Sequence, residues 1–260
     1  MCTLVFAWQV FDETPIAAAA NRDEALGRPS RPPGVLDESP RVVAPRDEEA
    51  GGTWIGYNDA GVFVAITNRR RESSEDRDNH GENRDDRSED TDGSGFDADR
   101  SRGLLVRDAL RERSARDALA LVRNELAARE YDGFNLVVAD ADDATLLEWD
   151  GVLRATHFDP GVHVVVNDGY DDAAPKAVRI REAISPDPET GDSDDDAWFD
   201  RAKSVLRDHD LGACVHGDGY GTRSSSLVAI DATGRGRYWF ADGPPCETEY
   251  EAVATGDGHI

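Results

Sequence analysis

The residues whose types and spacing could do chemistry here are Cys2, directly after Met1, the run Asn21-Arg22-Asp23-Glu24, and Asn68 and Asn167, which close two apolar runs. A side chain as small as that of Cys2 lets methionine aminopeptidase remove Met1, leaving a chain that begins with cysteine. Such a residue holds nucleophile and base in one unit. Its thiol has a reference pKa of about 8.5 and its α-amine one of about 7.7 to 8.0, so the amine can take the thiol proton near neutrality without a histidine. Asp23 would accept a hydrogen bond from that amine, and Arg22 would favour the thiolate or hold an anionic substrate. Asn68 and Asn167 would present neutral donors to a developing oxyanion. Each also has a plain structural reading: a terminal or buried cysteine, a surface ion pair, and asparagines that simply end strands.

These residues need a sheet to gather them. Apolar residues alternate or run in short blocks bounded by turn signals, as strands do. Residues 3 to 11 and 16 to 21 read as a hairpin around Asp12-Glu13-Thr14-Pro15. A turn centred between Glu13 and Thr14 pairs residues whose numbers sum to about 27, which sets Cys2 opposite Ala25 and beside the 21–24 run. A second hairpin is expected around Asn58-Asp59-Ala60-Gly61, and further strands near 134–140, 145–149, 152–158, 162–167, 225–231, 236–241 and 247–254. Residues 101 to 130 read as two amphipathic helices, the second capped by Ser114, and shorter helices are expected at 173–184 and 196–208. The acidic stretch at about 71–99, with His80 in it, reads as a disordered insertion, and Asp187 to Asp196 as an exposed loop. The hairpins before it are too small to fold alone, so residues 1–260 read as one domain.

With 29 Lys+Arg against 54 Asp+Glu the formal charge is −25, which argues against nucleic acid and anionic membrane surfaces as partners. The bases are 27 Arg and only Lys176 and Lys203, and Asp outnumbers Glu 36 to 18. This is the surface of a halophile: carboxylates that repel one another in dilute buffer are screened within about 3 Å at molar salt. No run suits membrane insertion and no secretory leader is evident, so a cytoplasmic protein acting on a small molecule is expected. Three cysteines, Cys2, Cys214 and Cys246, lack ligand-like spacing, so no disulfide framework, metal centre or cofactor is expected. Oligomeric state is left open.

Several ordered motifs resemble one family. MCTLVF at the start, NRDE at 21–24 followed by Arg28-Pro29-Ser30, GGTWIGYNDAGVFVAITN at 51–68, Ser101-Arg102-Gly103, YDGFNLVVAD at 131–140, Asn167 and YGTRSSSLVAID at 220–231 look like the NRDE-protein family, also called the transport and Golgi organisation protein 2 family. The resemblance implies an α+β fold, the four-layer αββα sandwich of N-terminal-nucleophile hydrolases. More remotely, the chain is similar to choloylglycine hydrolases and penicillin V acylases. That likeness implies Cys2 as nucleophile, Asp23 at its α-amine, Asn68 as oxyanion donor and Asn167 as a further active-site residue. Those enzymes carry an arginine where this chain has Ala20, so Arg22 would be a displaced substitute. Arg22 and Arg223 are the substrate-binding candidates, although Arg223 does not align with the second catalytic arginine of those enzymes.

The expected function is hydrolysis of a small amide or related acyl substrate by Cys2. The alternative is a carrier or chaperone for haem or a lipid-like ligand on the same fold, since the resemblance links the family to haem mobilisation, to lipid and coenzyme A metabolism and, in eukaryotes, to Golgi organisation and secretion. Haem would call on His157, His163, His209, His216 or Cys214 as axial ligands, with Cys214-Val215-His216 the tightest group. A third reading is a regulatory protein on a retired enzyme fold.

Overall fold

The structure, a computed structural model, describes residues 2–69, 98–185 and 194–254. His80 and nearly all of the 71–99 stretch lie outside the described residues, as does most of the Asp187 to Asp196 loop. Asp99, placed at the end of the insertion, belongs to the ordered chain, where it and Glu130 exchange two hydrogen bonds.

Fourteen strands are described, β1 (Thr3–Trp8), β2 (Ile16–Ala25), β3 (Ser30–Glu38), β4 (Arg41–Asp47), β5 (Ile55–Asn58), β6 (Phe63–Asn68), β7 (Phe134–Ala139), β8 (Ala144–Trp149), β9 (Leu153–His157), β10 (Gly161–Val166), β11 (Gly169–Tyr170), β12 (Tyr220–Ile230), β13 (Gly236–Ala241) and β14 (Glu251–Ala252). With them go four α-helices, α1 (Arg102–Ala109), α2 (Ala115–Ala128), α3 (Pro175–Ile184) and α4 (Asp195–Leu206). The strands form two antiparallel seven-stranded sheets, ordered β11-β10-β1-β2-β12-β13-β14 and β3-β4-β5-β6-β7-β8-β9. Every expected helix is present, and Ser114 caps α2 by accepting from the Asp117 amide. The strand expected at 247–254 shrinks to two residues, and the hairpin β3–β4, which carries Pro32, Pro33 and Pro45, is an addition to the expected strands.

The side-chain period of two sorts the core into three layers. In β1, Leu4, Phe6 and Trp8 point between the sheets, whereas Val5 and Ala7 point toward α3 and α4. Both faces of this central strand are covered, which is why all six of its residues are buried. In β2, Ala17 and Ala19 are small enough to let α4 pack closely against the sheet. Val64, Leu136 and Val138 cover α1 and α2 from the other sheet. The order is therefore helices, sheet, sheet, helices: the four-layer αββα sandwich of N-terminal-nucleophile hydrolase type.

Three of the sequence motifs interlock beneath the site. Gly52 lies so close to Gly103 that a Cβ on it would sit 2.1 Å from the Gly103 carbonyl carbon, and the Thr53 amide donates to the Gly103 carbonyl at 3.0 Å. Arg102 donates to the Gly133 carbonyl at 2.8 Å, and a Cβ on Gly133 would fall 2.5 Å from the Arg69 carbonyl. Glycine at 52 and 133 is thus a matter of room: the first lets the loop that ends in Trp54 lie against Gly103, and the second lets its own segment lie against Arg69 at the exit of β6.

Candidate active site

The hairpin β1–β2 turns earlier than the Asp-Glu-Thr-Pro signal suggested. Thr3 pairs with Asn21 and Trp8 with Ile16, so paired numbers sum to 24 instead of about 27. The chain leaves β1 at Gln9, which sits at φ 53 and donates from its amide to the Pro15 carbonyl at 2.8 Å. The loop accordingly takes in residues 9 to 15. This shift of three carries Cys2 away from Ala25 and opposite Arg22.

Alternation then gives each residue of the 21–24 run its own surroundings. Asn21 faces the helices, where its side-chain nitrogen donates to the carbonyls of Leu206 at 2.8 Å and Ala213 at 2.7 Å and so closes the end of α4. Arg22 faces the space between the sheets, 5 % exposed, with its guanidinium 4.2 Å from the centre of the Trp54 ring. Glu24 and Asp47 lie 3.5 and 3.6 Å from it, and Arg28 binds Asp47 at 2.8 Å. Burial favours loss of the Arg22 proton, while Glu24 and Asp47 pull the other way. Burial would raise Asp47, yet hydrogen bonds from the Ala50 amide and Arg28 hold it below its ordinary value. Asp23, 1 % exposed, accepts from the Thr222 hydroxyl at 2.7 Å. Its carbonyl accepts from the Tyr220 hydroxyl at 3.1 Å and lies 3.8 Å from the Cys2 sulfur.

Cys2 is half-buried. Burial pushes its thiol above the ordinary value, the Asp23 carboxylate adds to this, and Arg22 opposes it. Arg22 thus favours the thiolate, but desolvation outweighs it, and the sulfur needs a base close by.

The polar side chains of both sheets converge at this end of the sandwich. Thr67 donates to the Val166 carbonyl at 3.3 Å, and Asn135 donates to the same carbonyl at 2.8 Å and to Thr67 at 3.2 Å. Arg69 donates to the Asn135 side-chain oxygen at 3.2 Å and pairs with Glu148. Asn167 donates to the Asn68 carbonyl at 2.6 Å, so Asn68 and Asn167 come together across the sheets as the sequence led one to expect. The Asn68 contact uses its backbone. Arg223 lies where the β12–β2 register shifts, between Thr222 opposite Asp23 and Ser224 opposite Arg22.

Two residues escaped the sequence reading. Asn135 looked like one more polar position in a strand, although an asparagine flanked by Phe134 and Leu136 inside a strand buried throughout was a signal. Lys176, near the start of α3, has a buried ammonium nitrogen with no hydrogen bond among the described residues. Burial pushes its pKa down, and Asp23, Cys2 and Asp168 draw it back. That it is one of only two lysines beside 27 arginines could have marked it. Other buried polar atoms without a hydrogen bond among the described residues include Arg22 Nη1, Asn167 Oδ1, Arg223 Nε and Ser224 Oγ. Buried polar groups are otherwise nearly always satisfied, so a ligand or water would complete these positions. A small recess lined by Pro15, Gly61, Asp231 and Gly234 lies at the opposite end of β1 and contains none of these residues.

The histidines named as haem ligands separate. His157 bonds the Thr145 hydroxyl, and His163 uses both ring nitrogens, on Asp171 and the Asp159 carbonyl, while stacking on Phe158. His209, His216 and Cys214 gather with Cys246. Among the described residues no helix is long and apolar enough to cross a membrane.

Comparison with known proteins bears on the fold and the family. The conjugated bile acid hydrolase of Clostridium perfringens, solved as a mutant, superposes with a TM-score of 0.53 at 12% identity, covering 100% of this chain and 94% of that one. The Caenorhabditis elegans N-acylethanolamine-hydrolyzing acid amidase ortholog gives 0.52 at 10% identity (90% and 94% covered), and the penicillin V acylase of Agrobacterium tumefaciens 0.50 at 14% (93% and 83%). At these identities the likeness establishes the fold. The mouse Transport and Golgi organization 2 homolog is 25% identical over 279 aligned residues, covering 90% of each chain, and the human homolog is 25% identical over 283 with the same coverage. The family model described as Transport and Golgi organisation 2 matches residues 1–240, and the chain belongs to that family.

Proposed function

We propose that this protein is a cysteine N-terminal-nucleophile hydrolase of a small amide or related acyl compound. The observation that carries the reading is the register, which, continued by one residue from Thr3–Asn21, sets Cys2 opposite Arg22, with its sulfur 3.8 Å from the Asp23 carbonyl. With Met1 removed, the α-amine of Cys2 takes the thiol proton and the sulfur attacks the acyl carbon. The oxyanion is held by the second N–H of the Asn167 amide, whose first is spent on the Asn68 carbonyl, and by the Asn68 side chain. The α-ammonium then protonates the leaving amine as the carbon–nitrogen bond breaks. Water, deprotonated by the same amine, releases the acid from the thioester and the thiol is restored.

Asp23 keeps the amine in place and is itself oriented by Thr222. Lys176, behind the sheet, offsets the negative charge that Asp23 and the thiolate would otherwise concentrate there. Arg22 and Arg223 would meet an anionic group on the substrate, with Trp54 as the apolar wall. The superposable enzymes are by name an acylase, an acid amidase and a hydrolase of conjugated compounds, which supports an acyl substrate without naming it. The haem-carrier reading loses His163, both of whose ring nitrogens are engaged elsewhere.

The test is turnover of a panel of short- and medium-chain acyl p-nitroanilides in molar KCl. Hydrolysis of some member by wild type, and none above background by Cys2→Ala or Cys2→Ser, is expected. Equal turnover by wild type and Cys2→Ala would refute covalent catalysis by this residue.

A further inference from the structure

Two of the three cysteines and two of the six histidines meet between the loop after α4 and the segment after β13. The Cys214 and Cys246 sulfurs are 3.5 Å apart, His216 Nε2 lies 3.1 Å from Cys246 and 3.7 Å from Cys214, and the His209 and His216 rings are 5.1 Å apart between centres. One ligand atom from each of the four lies within 4.8 Å of all the others. The sulfurs are far beyond the bonding distance of about 2.05 Å. His209, Cys214 and His216 stand close together in the chain, but Cys246 lies thirty residues beyond His216, and spacing alone did not mark the full set. The fold assembles it.

We propose that His209, Cys214, His216 and Cys246 bind a zinc ion in a closed, structural site. In a tetrahedral Cys₂His₂ zinc centre, bonds of about 2.3 Å to sulfur and 2.0 to 2.1 Å to nitrogen make sulfur–sulfur edges of about 3.8 Å and sulfur–nitrogen edges of about 3.6 Å. The three edges in the fold are 3.5, 3.7 and 3.1 Å, within about 0.5 Å of these. A point about 2.2 Å from all three atoms stands roughly 0.9 Å out of their plane, near the offset a fourth, tetrahedral ligand requires. His209 is the residue available to supply that ligand. Two thiolates and two imidazoles are the donor set that favours zinc over magnesium or calcium. Four protein ligands leave no open position, so the ion would staple and not catalyse.

The segments that carry the ligands are already shaped. The Asp208 carbonyl accepts from the Ala213 and Cys214 amides, and the Pro244 carbonyl accepts from those of Glu247 and Thr248. His209 and His216 are exposed at the surface, so the ion has a way in. Bound there, it would tie the loop after α4 to the segment after β13, which otherwise share the Arg207–Glu249 ion pair at the surface. The same loop holds Thr222: the Val215 amide donates to its hydroxyl at 2.9 Å. The proposal does not depend on the chemistry of Cys2.

The experiment is metal analysis of purified full-length protein, followed by cobalt titration of chelator-stripped protein. Wild type and Cys2→Ser are expected to retain one zinc per chain through dialysis, while Cys214→Ser and Cys246→Ser lose it. Cobalt should give a thiolate charge-transfer band and the ligand-field bands of a tetrahedral site in wild type, a readout that needs no variant to fold. Wild type that takes up neither ion, zinc content unchanged in Cys214→Ser and Cys246→Ser, or octahedral cobalt spectra would each overturn the proposal. So would isolation with a Cys214–Cys246 disulfide that persists under mild reduction and leaves the protein metal-free.

Discussion

Replacing Thr222 by valine tests whether Asp23 is held by a hydrogen bond or merely enclosed. The Thr222 hydroxyl is 2 % exposed; it donates to the Asp23 carboxylate at 2.7 Å and accepts from the Val215 amide at 2.9 Å. Valine keeps the shape and removes both bonds. A hydrogen bond to a charged group contributes about 1.5 to 3 kcal/mol, and a buried amide left without an acceptor costs about 1 to 3 kcal/mol. The two overlap through relaxation of one small region, so a destabilisation of roughly 3 kcal/mol is expected. At about 2 to 4 °C per kcal/mol for a chain of this size, the melting temperature falls by roughly 6 to 12 °C. Thr222→Ser restores the hydroxyl and should lose less than about 1 kcal/mol. Thermal melts of the three proteins in molar KCl give the comparison. A valine variant within about 1 kcal/mol of wild type would refute the claim that Thr222 orients Asp23.

Three further outcomes are expected. Lys176→Met removes the cation behind Cys2 and Asp23, which should raise the thiol pKa further and slow modification of Cys2 by iodoacetamide several-fold near neutral pH; an unchanged rate would show that Lys176 is electrostatically idle. His163 is pushed down by burial but more strongly up by Asp171 and the Asp159 carbonyl, so its folded pKa lies above the ordinary value. The stability it adds is therefore complete below about pH 6.5 and is lost as pH rises through the folded value, and wild type should lose melting temperature relative to His163→Gln between about pH 6 and pH 8. With a formal charge of −25, the protein should keep its circular-dichroism signal in molar KCl and lose it at low salt, where the Debye length exceeds about 10 Å; a full signal in dilute buffer would contradict the halophile reading.

The strand pattern, the four helices and the Ser114 cap were legible because burial on one face writes its period directly into the chain. The register of the first hairpin was not. Asp12 to Pro15 carries the turn residues, yet the chain leaves β1 at Gln9, and a left-handed glutamine has no sequence signature. The motifs 51–54, 101–103 and 131–135 were visible as words, but their meaning is mutual: Gly52, Gly103 and Gly133 are small because the segments touch one another. Asn21 looked like part of the chemistry and closes the end of α4 instead. Asn135, Lys176 and Cys246 reach their neighbours from other layers or distant segments, which no local spacing can announce.

The central claim is that Cys2 becomes the terminal residue and carries the acyl group. The most direct measurement is the mass of the N-terminal peptide after brief exposure of the protein to an activated acyl ester, quenched in acid to preserve thioesters. The account predicts a peptide that begins at Cys2, lacks Met1 and carries one acyl group on sulfur, with Cys214 and Cys246 unmodified. A peptide that retains Met1, or acylation spread evenly over the three cysteines, would contradict it.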